Sequence, residues 1–271
     1  MTIKALAFDL DGTLLVGEDL PDSNRDALRR ARDAGMAIII ATARWRQMAR
    51  WVADEIGVAD PCIACSGAQV FDPARGEDAF DVRLPRDFAA ELFELCDRER
   101  CIATVTFDER VLIKMDGEPP ASVMRPEMRW TARLAGADAA LPRIAAVQGS
   151  AVVRTIREQL APRYADSVSV YDSIGPNGKI ILTITNKGAN KGIALSQACR
   201  HLGIAPEEAV AFGDAENDIE MFRVAGASVA MGQAETRVLK SASVVSRPHD
   251  EGGVAHAVEH LLRTGTVSGL V

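Results

Sequence analysis

The apolar positions of the chain fall into short unbroken runs separated by segments with helical spacing. Ile3 to Leu10 presents Ala5, Leu6, Ala7, Phe8 and Leu10 with no polar face, the pattern of a strand buried on both sides in the middle of a sheet. "NRDALRRARDAG" has helical periodicity, with Asp22 or Ser23 placed to cap it and Gly35 to end it. "MAIIIATAR" is a second apolar run, carrying Thr42 at its end and Arg44 just beyond. A second helix is expected over Arg46 to Ile56, and "PCIACSGAQVFD" reads as a third strand leading into the turn "DPARGED". Strand, helix, strand, helix, strand is the order of a parallel α/β sheet.

The middle of the chain changes character. A helix is expected near Phe88 to Arg98, then strands around Cys101 to Thr106 and Val111 to Met115, then a Pro- and Met-containing stretch from Glu118 to Trp130. Strands follow around Ile144 to Gln148, Val168 to Tyr171 and Lys179 to Thr185, with a helix over Ala151 to Leu160. From Lys191 the alternation returns: "KGIALSQACRHLG" as helix, "AVAFGDAEND" as a strand ending in acids, "IEMFRVAG" as helix, "ASVAM" and "ASVVS" as short strands, and "GVAHAVEHLLR" as a last helix. The expected fold is α/β: a Rossmann-like, doubly wound parallel sheet core from residues 1–83 and 187–271, with an inserted α+β unit at residues 84–186. The insertion is expected over the ligand-binding edge of that sheet.

With 48% hydrophobic and 25% charged residues among 271, the chain has the composition of a well-packed globular protein. Its 31 basic and 38 acidic residues leave a net charge of −7, which disfavours nucleic acid as a partner and favours a small ligand. The start lacks a signal-peptide pattern and no apolar run approaches the roughly 20 residues that cross a bilayer, so no membrane partner is expected and the location expected is cytoplasmic. Five cysteines at irregular spacing predict free thiols. In "CIAC", positions three apart on a strand face opposite ways and no His lies nearby, so core packing is expected for Cys62 and Cys65.

The chemistry lies where strands end. Asp9 and Asp11 close the first strand, and in an open parallel sheet ligands bind beyond the carboxyl ends of the strands. Two residues apart on a strand, they would address one ligand, with Gly12 allowing the chain to turn. "AFGDAEND" repeats the arrangement with Gly213, Asp214 and Asp218. If the two strands are neighbours, four carboxylates crowd one volume and require a cation, and hard oxygen donors without His or thiolate select Mg2+. Thr42 and Lys191 add a hydroxyl and an ammonium suited to a phosphoryl group. There is no G-x-x-x-x-G-K-[ST] loop, so a carboxylate nucleophile is the alternative: Asp9 attacks phosphorus and Asp11 acts as general acid and base.

"DLDGTLL", "ATAR", "KGIAL" and "GDAENDIEM", in that order across the whole chain, resemble the four motifs of the haloacid dehalogenase superfamily of aspartate-nucleophile phosphatases. The insertion between the second and third motifs, with "VAMGQA" and "HDEGGVAHAV", is similar to the Cof-type subfamily with an α/β cap. The resemblance implies Asp9 as nucleophile and Mg2+ ligand, Asp11 as acid/base offering its backbone carbonyl to the metal, and Asp214 as a further ligand. It implies that Thr42 and Lys191 bind the phosphoryl group, that Asn217 touches phosphoryl group or substrate, and that Asp218 supports the metal's shell or pairs with Lys191. It also implies a cap that closes over the substrate and chooses it. Ala43, Ser66 and Gln233 stand where the subfamily usually has Gly, the Asn of "NG", and Asn.

Other readings bear on the same residues. Lys187 precedes another "KG" and rivals Lys191; Thr42 could cap the second helix; Asp218 could serve only as a helix N-terminal charge. Arg44 and Arg46 could reach a phosphate or remain solvated, and Met124, Met128 and Trp130 could line a substrate pocket or pack within the insertion. His256 and His260, four apart on the last helix without a third ligand, are expected at the surface or in packing. The activity expected is Mg2+-dependent hydrolysis of a small phosphorylated metabolite, by preference a sugar phosphate. A hexose phosphomutase or a non-catalytic phospho-ligand regulator of the same architecture are the alternatives.

Overall fold

In a computed structural model, residues 2–108, 110–137, 140–174 and 180–270 are described. The first elements are β1 (Ala5–Phe8), α1 (Asp22–Asp33), β2 (Ala37–Ile40), α2 (Arg46–Ile56), β3 (Cys62–Ala64), β4 (Gln69–Asp72) and β5 (Glu77–Asp81). Next come α3 (Arg86–Arg98), β6 (Ile102–Thr106), β7 (Val111–Lys114), β8 (Met128–Thr131), β9 (Ile144–Gln148), α4 (Ser150–Thr155), β10 (Val168–Ile174) and β11 (Ile180–Asn186). The chain closes with α5 (Lys191–Leu202), β12 (Ala209–Gly213), α6 (Ile219–Val224), β13 (Ala227–Ala230), α7 (Thr236–Leu239), β14 (Val244–Val245) and α8 (Gly253–Thr264). Two compact units result, one from Met1–Asp81 with Asn190–Val271 and one from Val82–Ala189.

The first unit is built on a five-stranded parallel sheet of order β14-β13-β12-β1-β2. All four residues of β1 are buried, because helices cover both faces. The two faces differ in side-chain size. Leu6, Phe8, Ile38, Ile40, Val210 and Phe212 pack with residues of α1, α2 and α8, the Phe8 and Phe212 rings stacking at 4.4 Å. Ala5, Ala7, Ala209 and Ala211 face the other way, where their small side chains pack with Leu195 and Ala198 of α5. Each large side chain so buried contributes on the order of 1.5–3 kcal/mol, which fixes the register of the central strands.

Three expectations are corrected here. "PCIACSGAQVFD" is not one strand: β3 ends at Ala64, a 3-10 turn at Cys65–Gly67 reverses the chain, and β4 returns antiparallel, followed by an unanticipated β5. The reversal depends on Cys65 and Ser66 adopting left-handed backbone with φ of 53° and 56°, which no hydrophobic pattern reveals. Cys62 and Cys65 are buried free thiols, so core packing stands although the strand argument for it does not. Neither Asp22 nor Ser23 caps α1; Pro21 precedes it and no side chain accepts from its first turn.

The second unit carries a six-stranded sheet of order β10-β11-β9-β6-β7-β8, antiparallel except for the β7–β8 pair. Phe88, Leu92 and Cys96 of α3 pack with Val105, Val147, Leu182 and Ile184. β8 emerges from the Pro- and Met-containing stretch where no strand was expected. The helix expected over Ala151 to Leu160 is α4 followed by a π turn at Ile156–Leu160. Lys179, expected to begin the last strand, lies outside the described residues.

Candidate active site

β1 and β12 are adjacent and parallel, with Phe8 opposite Phe212, so the residues following each strand emerge side by side. The sheet's order reverses here, since the chain runs from β1 to β2 on one side while β12 flanks the other, and such a switch point opens a crevice at the carboxyl ends. Asp9 leaves β1 with its N–H donating to the Phe212 carbonyl at 3.0 Å. One carboxylate oxygen from each of Asp9, Asp214 and Asp218 falls within 4.8 Å of the others.

Lys191, at the first position of α5, compensates part of this charge. Its Nζ donates to Asp9 Oδ1 at 2.5 Å and to Asp218 Oδ1 at 2.6 Å, and the ammonium is only 1% exposed. α5 is aimed by its N-cap, Asn190, whose side chain accepts the N–H of Ile193. The rival Lys187 donates instead to the Ala165 carbonyl. Asp218 has both oxygens engaged, Oδ1 by Lys191 and Oδ2 by the N–H groups of Asp214 and Ala215 at 3.0 Å each. Asp9 Oδ2, by contrast, has no hydrogen-bond partner among the described residues.

Two glycines make this packing possible. A Cβ on Gly213 would lie 2.4 Å from Asp218 Cγ, and one on Gly12, where φ is +81°, would lie 2.3 Å from Asp214 Oδ2. Thr13, buried, donates to Asp214 Oδ1 at 3.1 Å. Gln233 Nε2 donates to the Gly12 carbonyl at 2.7 Å while its Oε1 accepts the N–H of His249, joining the loop after β1 to the loop after β14. The sequence reading gave Thr13, Gln233 and His249 no role at the site. The signal for Thr13 was its place directly after two acids and a glycine; for the other two it arises only in three dimensions.

Asp11 departs from the expectation. β1 ends at Phe8 and the chain turns at Gly12, so the Asp11 carboxylate does not join the acidic cluster and is half exposed, in a two-pronged pair with Arg44. Thr42 is fully buried and does not cap α2; its Oγ1 accepts the N–H of Arg44 at 3.0 Å, and its carbonyl accepts the N–H of Ser66. Asn217 Oδ1, in the turn between β12 and α6, is buried with no hydrogen-bond partner among the described residues, as is Ser66 Oγ in the left-handed turn after β3. Arg46 lies over the Phe71 ring at 4.2 Å. His260 Nε2 is within hydrogen-bond distance of the Ser268 carbonyl, and no cluster of potential metal ligands among the described residues includes it or His256.

Three carboxylates and one ammonium leave the site over-charged. Burial drives the Asp9 carboxyl well above the usual carboxylate range, Lys191 pulls it down, and Asp218 and Asp214 push it up again. Asp214 is raised to about 6, by burial first and the charge of Asp218 next, against the hydrogen bond from Thr13. Burial would lower Lys191, but Asp218 and Asp9 more than offset it and hold the amine above its ordinary value. Oxygen donors of this kind, short of one further positive charge, fit a hard divalent cation. Among the described residues no helix is long and apolar enough to cross a membrane.

A family model described as haloacid dehalogenase-like hydrolase matches residues 6–258. The chain is 28% identical over 263 residues to the 5-amino-6-(5-phospho-D-ribitylamino)uracil phosphatase YcsE of Bacillus subtilis, covering 95% of each. Among solved structures, a haloacid dehalogenase-like hydrolase from Bacteroides thetaiotaomicron superposes with a TM-score of 0.84 at 22% identity, over 96% of this chain and 99% of that one. The HAD subclass IIB sugar phosphatase BT4131 superposes with a TM-score of 0.77 at 24% identity, over 95% and 98%.

Proposed function

The chain belongs to the haloacid dehalogenase-like hydrolases and is a phosphatase of that family; from this premise we propose that it hydrolyses a small sugar-type phosphate monoester in a Mg2+-dependent reaction through an aspartyl-phosphate on Asp9. The observation that carries the reading is a single carboxylate: Asp9 is buried at the end of a central strand, with one oxygen held by Lys191 and the other without a partner beside Asp214. An oxygen so positioned attacks phosphorus, while Lys191 stays bound to its neighbour and holds the side chain on line. The carboxylates of Asp9 and Asp214 and the Asp11 backbone carbonyl would hold the ion. Once bound, Mg2+ supplies positive charge to the phosphoryl oxygens and lets nucleophile and phosphate approach. Asp218, with both oxygens engaged, acts by holding Lys191.

Asp11 is the acid that protonates the leaving oxygen and then the base that takes a proton from water. It pairs with Arg44 outside the acidic cluster, and its carboxylate is half exposed. In this reading Thr42 and Asn217 hydrogen-bond the phosphoryl oxygens, and Arg44, the partner of Asp11, binds substrate. A polyhydroxylated ester is favoured by two similar proteins, a phosphatase of a phosphoribityl compound and a sugar phosphatase. Phosphate release from a panel of sugar phosphates, with Mg2+ and after chelation, tests the reading: metal-dependent release supports it, whereas no release by folded protein, or isomerised ester in place of free phosphate, overturns it.

Two further results are expected. Asp214 is raised to about 6, so between about pH 4 and pH 6 the metal-free fold keeps a proton there that the unfolded chain has released, and Asp9, also raised, acts in the same direction. Raising the pH through that window removes stability from the metal-free protein, and a cation that replaces the protons returns it. The Mg2+-induced rise in Tm should therefore be small at about pH 5 and large at about pH 7.5; equal shifts would count against metal binding at these acids. Gly12→Ala forces the Asp214 carboxylate aside and should weaken Mg2+ binding about tenfold by calorimetry, with the circular dichroism spectrum preserved.

A further inference from the structure

A second reactive cluster lies in the unit formed by Val82–Ala189, in its core. Cys96, on α3, is fully buried, and Cys101, just before β6, is 7% exposed. Cys101 Sγ donates to the Cys96 carbonyl at 3.4 Å, which holds it against the residue that carries the second thiol. Lys114, the last residue of β7, is buried as well, and its Nζ donates to the Glu99 carbonyl at 3.0 Å and toward Cys101 Sγ at 3.8 Å. A buried ammonium needs a counter-charge. Among the described residues this one is hydrogen-bonded to no carboxylate: Asp116 pairs with Arg100, and both oxygens of Asp97 accept backbone N–H groups, from Leu134 and Ala135. The Lys114 Nζ reaches the Cys101 sulfur instead, and that positive charge favours the thiolate form there.

We propose that Cys101 and Cys96 form an oxidation site, in which the Cys101 sulfur, polarised by Lys114, reacts with a hydroperoxide and is then closed by the Cys96 sulfur into a disulfide joining the end of α3 to the start of β6. In the first step the Cys101 thiolate attacks one peroxide oxygen, the O–O bond breaks, and the other oxygen leaves as alcohol or water after taking a proton from solvent. Cys101 is then a sulfenic acid. In the second step the Cys96 sulfur attacks Cys101 sulfur, the S–O bond breaks, and water leaves with the Cys96 proton. Two thiols lose two electrons and one hydroperoxide gains them.

The division of labour follows from the surroundings. The hydrogen bond from Cys96 lowers the Cys101 thiol below its ordinary value against the cost of burial, and Lys114 lowers it further, with Asp116 opposing. The same bond raises Cys96, which keeps its proton until the second step. Burial pushes the isolated thiols the other way, Cys62 up to about 12 and Cys199 up to about 11, so these serve as internal controls.

The test treats the whole folded chain with hydrogen peroxide, counts free thiols after denaturation and maps the bridge by mass spectrometry. The expected loss is from five thiols to three, the two lost being Cys96 and Cys101. Cys96→Ser should stop at a sulfenic acid on Cys101 that a dimedone probe captures. Lys114→Met, which keeps the aliphatic stem, should slow alkylation of Cys101 by iodoacetamide about tenfold near pH 7. Persistence of all five thiols, a bridge to Cys62, Cys65 or Cys199, or a Lys114→Met variant that folds and reacts at the parent rate would overturn the proposal. If that variant fails to fold, the thiol count and the Cys96→Ser capture decide alone.

Discussion

Asp9→Asn should lower turnover by about 10^4-fold or more while leaving the metal-free protein as stable as the parent or more so. Both halves have one origin. The carboxylate is the nucleophile, and asparagine cannot replace it. It is also one of three clustered acids, two of them buried and Asp214 partly so, facing one ammonium, and it is held above its ordinary titration range by burial and by Asp218 and Asp214. Removing its charge relieves that repulsion, and an asparagine oxygen still accepts from Lys191. Turnover in a chelator-sensitive assay, paired with urea unfolding without metal, checks both. Loss of activity with a large loss of stability would point to a structural role instead. Stability gained where function is lost is the general cost of assembling like charges at a site.

Lys191→Met should act in the opposite direction on stability. The ammonium is buried between Asp9 and Asp218, and removing it leaves two buried carboxylates without their partner. Breaking such a pair costs about 3–5 kcal/mol. Adding Asp218→Asn should recover part of that loss without restoring turnover, because the second change removes an orphaned charge and returns nothing to the phosphoryl site. Unfolding midpoints of the two single variants and the double variant form a cycle, and additive losses would contradict the coupling of Lys191 to Asp218.

Much of this was legible in the chain because the features concerned are local or periodic. β1 and β12 read as apolar runs ending in acids, while their adjacency, a condition of the sequence argument, comes from the pairing of Phe8 with Phe212. Periodicity failed where regular backbone stops. Asp11 was placed beside Asp9 by extending strand geometry three residues too far, past Phe8 toward the turn that Gly12 makes, and its carboxylate pairs with Arg44 instead. The run from Pro61 to Asp72 is almost wholly buried, so hydrophobicity alone could not mark the reversal at Cys65 and Ser66. Gln233 and His249 needed the fold itself, since Gln233 reaches Gly12 from a loop more than two hundred residues later and His249 holds Gln233.

The central claim is that Asp9 itself becomes phosphorylated. It is tested most directly in the Asp11→Asn variant, where loss of the base should slow hydrolysis of the intermediate. The variant is mixed with Mg2+ and a substrate labelled in its phosphoryl group, quenched in acid and digested. The prediction is a hydroxylamine-labile label on the peptide containing Asp9, absent from Asp9→Asn. Label on any other residue, or turnover of labelled ester with no protein-bound phosphate at any quench time, would contradict it.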